Sequence, residues 1–248
     1  MRILIAILGL IWFVGPVAAQ GVTLAPDLSR LNRAAEVDVV ALMAARYPET
    51  LALLEREFSD DHAALLQAFG AIGAQGGREE ALLVRAFGEL TELRRRYAER
   101  LRFAPGEAHA AMLGHLAAFY NLVFEIEGPV ICGRFAQDGS GILFELGLSA
   151  RYAGPLDQQS SAYFEAVVGA IERPEISEPV QPEDWGVVFE HMVAAGAPPA
   201  FVAAVGGGNP RDPNLCPALA AMMLTSSLLD TPEGARTRAD FARNLTGY

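Results

Sequence analysis

The 248-residue sequence has a formal net charge of −11, and all 19 of its Lys+Arg residues are arginine. That acidity argues against nucleic acid and anionic membrane surfaces as electrostatic partners. The lack of lysine excludes Schiff-base, Ser-Lys and phosphate-loop chemistries.

Met1-Arg2 is a minimal positive start, Ile3 to Val14 is an apolar run broken only by Gly9, and Gly15-Pro16 precedes Val17-Ala18-Ala19. This is the pattern of a signal peptide over residues 1–19, cleaved after Ala19 to leave Gln20 first. The run is short for a span of about 20 residues, which disfavours an uncleaved anchor. No cysteine sits at the cleavage point for a lipoprotein anchor. Loss of Arg2 takes the mature charge to −12. The expected location is periplasmic or secreted. No stable membrane span is expected after cleavage, because charge, Gly or Pro cuts each later apolar stretch.

The mature chain then reads as helix after helix. A first helix starts near Asp27 to Ser29, carries Leu31, Ala34, Ala35, Val39, Leu42 and Met43 as a stripe, and ends at Tyr47-Pro48. Pro48 opens a second helix with Leu51, Leu54 and Phe58 on one face, and Ser59-Asp60-Asp61 is placed to cap a third. The fourth, from Glu79 to about Phe103, repeats Leu83, Phe87, Leu90, Arg94, Tyr97 and Leu101 as a heptad seam with one arginine in it. Its cluster Arg94, Arg95, Arg96, Arg100 and Arg102 interleaves with Glu89, Glu92 and Glu99. That predicts a solvated or internally paired face, with Glu92 and Arg96 as an i,i+4 pair.

Pro105 to Cys132 is the expected hub. Met112, Leu113, Leu116, Phe119, Tyr120, Val123, Phe124 and Ile126 go most of the way round a helical wheel, as in a helix surrounded by neighbours, before Gly128-Pro129 stops it. A glycine-rich belt follows from Cys132 to Pro155, in which Ile142 to Leu148 is ambiguous between helix and strand. Further helices are expected over residues 157–172, from Asp184, over Ala200 to Val205, from Pro213 to Pro217 onward, and from Pro232 to about Leu245. The sum is an all-α protein, a multi-helix bundle or stacked helical hairpins of about eight or nine helices. Residues 20–248 form a single domain, with a division into subdomains at about 27–104 and 105–248 left open. Charge supports such a division: residues 106–248 hold seven arginines against seventeen acids.

Cys132 and Cys216 are the only cysteines. In an exported chain two thiols read as one structural disulfide. It closes a loop of about 85 residues, worth roughly 4–5 kcal/mol in the chain-entropy model. A reactive pair, an intermolecular bond or two buried thiols are the alternatives.

No catalytic, cofactor or metal constellation emerges. His62, His109, His115 and His191 match no helical metal spacing. His115 lies closest to the apolar hub face and reads as a core histidine bonded to a backbone carbonyl. Asp138-Gly139-Ser140-Gly141 resembles a nucleophile turn but lacks the GxSxG pattern. If Cys132 and Cys216 are joined, the end of the hub meets the Gly206–Asn214 loop. Arg134 and Arg211 are then candidates for an anion or partner contact, against the alternative of two exposed loop arginines. The expected function is an exported, non-catalytic envelope interaction or adaptor module, whose partner is another envelope protein. A small-molecule or lipid carrier is the alternative, with an apolar interhelical pocket lined by Met112, Phe119 and Phe124. A hydrolase using His115 or His191 beside a carboxylate is the third reading.

Overall fold

The computed structural model describes residues 37–244, which fall within one compact unit over residues 35–248. The expected leader, residues 1–19, and the first-helix start near residues 27–29 lie outside the described residues. Eleven helices and no strand occur among the described residues: α1 (Val39–Arg46), α2 (Pro48–Glu57), α3 (Ser59–Ala74), α4 (Glu79–Leu101), α5 (Gly106–Asp138), α6 (Gly141–Glu145), α7 (Ala153–Glu172), α8 (Pro182–Ala194), α9 (Pro199–Gly207), α10 (Leu215–Leu228) and α11 (Pro232–Asn244). The all-α reading holds, and the helix count exceeds the expected eight or nine. The ambiguous Ile142 stretch resolves into the short α6.

Three connections are set by single residues. Pro48 sits at the first position of α2, where its missing N–H costs nothing. The cap of α2 comes from α7: the Asp157 carboxylate accepts the Glu49 and Thr50 N–H groups at 2.9 Å each and the Thr50 hydroxyl at 2.7 Å. Ser59 is the first residue of α3 and caps nothing. Asp61 instead leaves its own helix, accepting from the Tyr97 hydroxyl and pairing with Arg96 at 2.9 Å. The expected Glu92–Arg96 pair is therefore replaced by Glu92–Arg95 at 3.0 Å.

The α4 seam packs within the chain. Leu83, Phe87, Leu90 and Leu101 are buried, and the seam arginine, Arg94, is 0 % exposed. Its guanidinium lies 4.8 Å from the Tyr163 ring centre, and the Tyr163 hydroxyl donates to the Arg94 carbonyl. Burial lowers the Arg94 pKa to about 10, and burial raises those of Tyr47 and Tyr163 above their usual value. One arginine of the cluster thus belongs to the core, while Arg95 and Arg96 pair with acids on the surface.

α5 is the hub, and it is two pieces. Gly128 adopts φ +79°, a left-handed backbone that breaks the helix where the sequence predicts its end. The chain does not stop there: Pro129 is suited to a first turn and restarts a helical arm that runs to Asp138. By length and composition α5 is long and apolar enough to cross a membrane, which the count of breakers did not admit. Met112, Leu113, Leu116, Phe119, Tyr120 and Val123 are instead buried in the protein, and α5 packs against α7, α10 and α11. Its second arm is tied to α10 and to the loop before it. Cys132 and Cys216 lie at disulfide distance within the chain, with Cα atoms 6.0 Å apart. A side chain on Gly133 would stand 1.7 Å from the Pro210 carbonyl oxygen, so only glycine admits the loop before α10.

The main core draws residues from α1 to α7, with Cys216, Ala220, Met223 and Ala242 added from α10 and α11. A second cluster lies in the cap formed by α8 to α11, centred on Val188, Met192, Met222 and Leu229. Two arginines of α11 fasten this cap. Arg236 forms a two-point ion pair with Asp184 at 2.8 and 2.6 Å, and Asp184 also accepts the Gln181 N–H at the start of α8. Arg238, buried, donates to the Ser226 and Leu229 carbonyls at the end of α10.

Candidate interaction cleft

A cleft of about 420 Å³ opens where the cap meets the hub. Tyr120 and Ala136 of α5 lie along it, one from each side of the Gly128 break. Trp185 and Phe189 come from α8, Val205 from α9, and Leu219, Met222 and Met223 from α10. Phe241 of α11 meets Trp185 edge to face, with ring centres 5.0 Å apart. The helical stripe read around Trp185, Val188, Phe189 and Met192 divides here. Val188 and Met192 turn into the cluster, while Trp185 and Phe189 stay half-exposed.

The polar lining residues include Asp240 and Asn244. Asp240 accepts from Arg243 at 3.1 Å and from the Asn244 amide at 3.3 Å, so its carboxylate is positioned by its own helix. No arginine lines the cleft. Methionine and aromatic side chains beside one carboxylate form a surface that re-packs around an apolar group. It offers no nucleophile paired with a base.

A second hollow, of about 370 Å³, has a mixed polar and apolar lining and lies at the start of α5. His109 and Glu175 both border it, which makes it the place where a hydrolase reading comes nearest. Each group there already serves the fold. His109 Nε2 bonds the Leu101 carbonyl at 2.6 Å, and Glu175 accepts the Gly106 N–H at 2.9 Å. Ser177 donates to the Glu178 carbonyl, and Arg236 is held by Asp184. Burial lowers the His109 pKa and favours the neutral ring.

The sequence-named residues fall as follows. The core histidine bonded to a carbonyl exists, but it is His109; His115 is exposed on the outer face of α5. His191 is exposed and bonds the Val187 carbonyl of its own helix. Ser140 is buried and its hydroxyl has no partner among the described residues, so the nucleophile look-alike is closed to substrate. Gly133 touches Pro210, so the chain segments carrying Arg134 and Arg211 do converge. Arg134 lies 3.8 Å from Asp138 and 3.6 Å from Glu145, two carboxylates that compete with any bound anion. Arg211 is exposed, its backbone N–H donated to Asn209. Met112 and Phe119 fill the main core, Phe119 against Phe135 and Tyr152 at 5.0 and 5.8 Å. The apolar hollow lies at Tyr120 instead, one residue further along the hub. The signal that marks it is the partial exposure of Trp185, Phe189 and Phe241, which one sequence does not display.

Comparison of this chain with protein-family models, with curated proteins and with solved structures returns no match.

Proposed function

We propose that this protein is an exported, periplasmic, non-catalytic adaptor module of the cell envelope, and that its working part is the cleft between the hub and the cap. The observation that carries this reading is the lining. Trp185, Phe189, Val205 and Phe241 present an apolar surface to solvent over the buried Met222, on a framework fixed by the Cys132–Cys216 tie and the Asp184–Arg236 pair. Aromatic and methionine side chains are the residue types enriched at protein interfaces. The leader pattern of residues 1–19 supports export from the cytoplasm. Native mass spectrometry of the mature protein taken from its own envelope tests the reading, with Val205→Glu as the comparison. A heterocomplex of fixed stoichiometry is expected for the parent, and its loss in the variant with an unchanged melting curve. A complex indifferent to Val205→Glu overturns it.

The volume of about 420 Å³ favours a second reading as a carrier of a small apolar molecule or lipid, since ligand pockets occupy roughly 300–1,000 Å³. A retained non-protein mass that disappears in Val205→Glu replaces the adaptor with the carrier.

A further inference from the structure

From Met192 to Gly208 the chain has no polar side chain. Such a run belongs in a core, yet Ala204 is the only buried residue of α9, while Pro199, Ala200 and Ala203 are exposed. A surface helix normally carries charge on its outer face. α9 has none, so solvent meets apolar surface on its outer side as well as at the cleft.

Two hollows border this helix. Val205 lines the cleft, and Val202, one turn earlier, lines a shallower depression of about 430 Å³ that also contains Val193 and Glu190. Phe189 is a wall of both. Two apolar hollows separated by one ring and about one helical turn match side chains at i and i+3 or i+4 of an incoming helix. Their charged lining residues are Glu190, which is exposed, and Asp240, which Arg243 already pairs at 3.1 Å, and neither hollow is lined by an arginine. A second copy of the chain would bring the same acids, and anionic lipid would be repelled by them.

The geometry points to a basic amphipathic helix of an envelope partner as the occupant of this face. Its apolar anchors enter the two hollows, and a Lys or Arg lies over the exposed Glu190. The inference rests on the reading of the cleft as a docking site and names the chemistry of what docks.

Trp185 gives a direct readout, because the other tryptophan, Trp12, leaves with the leader. The mature protein is titrated with a Leu/Lys peptide of about 18 residues built as an amphipathic helix, with its Leu/Glu counterpart, and with vesicles of phosphatidylethanolamine and phosphatidylglycerol. The expected result is a shift of Trp185 emission to shorter wavelength with the Leu/Lys peptide alone. The affinity falls more than tenfold from low to high salt and several-fold in the exposed-site variant Glu190→Gln. Val202→Glu and Val205→Glu abolish the shift. An equal response to the Leu/Glu peptide, or an affinity indifferent to salt and to Glu190→Gln, overturns the basic partner. A response to vesicles without one to peptide assigns the face to a lipid surface and also overturns it. If the Val205→Glu-sensitive heterocomplex persists while the Leu/Lys peptide gives no shift, the docking site stands and its basic, helical occupant does not. If neither is seen, both fail.

Discussion

The helices α1 to α7 and the cap α8 to α11 use the same apolar residue types and bury them to different depths. In the first region Leu54, Leu90, Leu113, Phe135 and Tyr163 are closed to solvent. In the cap, four residues of the second cluster are buried, whereas Trp185, Phe189, Phe201, Val205 and Phe241 remain half-exposed. Burial of apolar area is worth about 25 cal/mol per Å², so the cap leaves stabilisation unrealised that the core has collected. What holds the cap is therefore directional: the cysteine pair, the Asp184–Arg236 pair, and the Arg238 guanidinium on the end of α10. A framework fixed by such ties can keep an apolar surface open without collapsing onto it.

The same truncation made in each region is the sharpest test of that contrast. Phe135 packs between Phe119 and Tyr120, with ring centres 5.0 and 4.9 Å away, and Phe135→Ala should cost about 3–5 kcal/mol of unfolding free energy. Phe189→Ala, at a ring already partly in water, should cost about 1–2 kcal/mol. Urea titrations of both variants check this, and equal costs would erase the distinction between core and cap. Next in size is the tie. Replacing Cys132 and Cys216 by serine should remove about 2–5 kcal/mol and alter Trp185 emission, since Cys216 begins the helix that bears Met222 and Met223. Unchanged emission in a destabilised variant would mean that the cleft is held by other contacts. Smaller again is Asp157→Ala, which leaves the start of α2 uncapped and should cost about 1–3 kcal/mol with no change at Trp185. A response at Trp185 would show that the core and the cleft are not separable.

Helix type and most of the inward faces were legible from periodicity, because a 3.6-residue repeat is a local property of the chain; Ile126, read on the surrounded hub face, is instead exposed. The α4 seam of Leu83, Phe87, Leu90 and Leu101 is buried as its spacing implies, and the two cysteines meet as their number suggests. What was not legible depends on pairs distant in sequence. Asp157 caps a helix 107 residues away, and Asp61 binds Tyr97 and Arg96 instead of its own helix end. His109 and His115 differ by less than two turns on one helix, and periodicity chose His115. The corner where α4 turns into α5 brings the Leu101 carbonyl to His109. The cleft was illegible for a related reason. Met222 and Phe189 satisfy the same helical pattern whether a neighbour covers them fully or in part.

The smallest effect concerns the seam between the two regions. His109 stands where α4 and α5 meet the cap, near Arg238 of α11 and Glu175 of the connection into α8. Its ring is buried, and burial is the main reason that its pKa lies below the ordinary 6.5, with Arg238 adding in the same direction and the Leu101 bond and Glu175 opposing. The unfolded chain therefore binds a proton near 6.5 that the folded chain refuses. Between that value and the lower folded pKa the unfolded state holds more protons, so stability rises with pH through this window and is lost as the pH falls through it. His109→Gln, which keeps a side-chain donor for the Leu101 carbonyl, should flatten the dependence of the urea midpoint on pH just below 6.5. Asp184 behaves as a carboxylate held below 3.8, first by its hydrogen bonds from Arg236, so its contribution persists above that value and disappears only at lower pH. The two windows open at different pH, that of His109 below 6.5 and that of Asp184 below 3.8. A midpoint in His109→Gln that still falls across the upper one would assign the sensitivity to another group and leave the seam indifferent to pH.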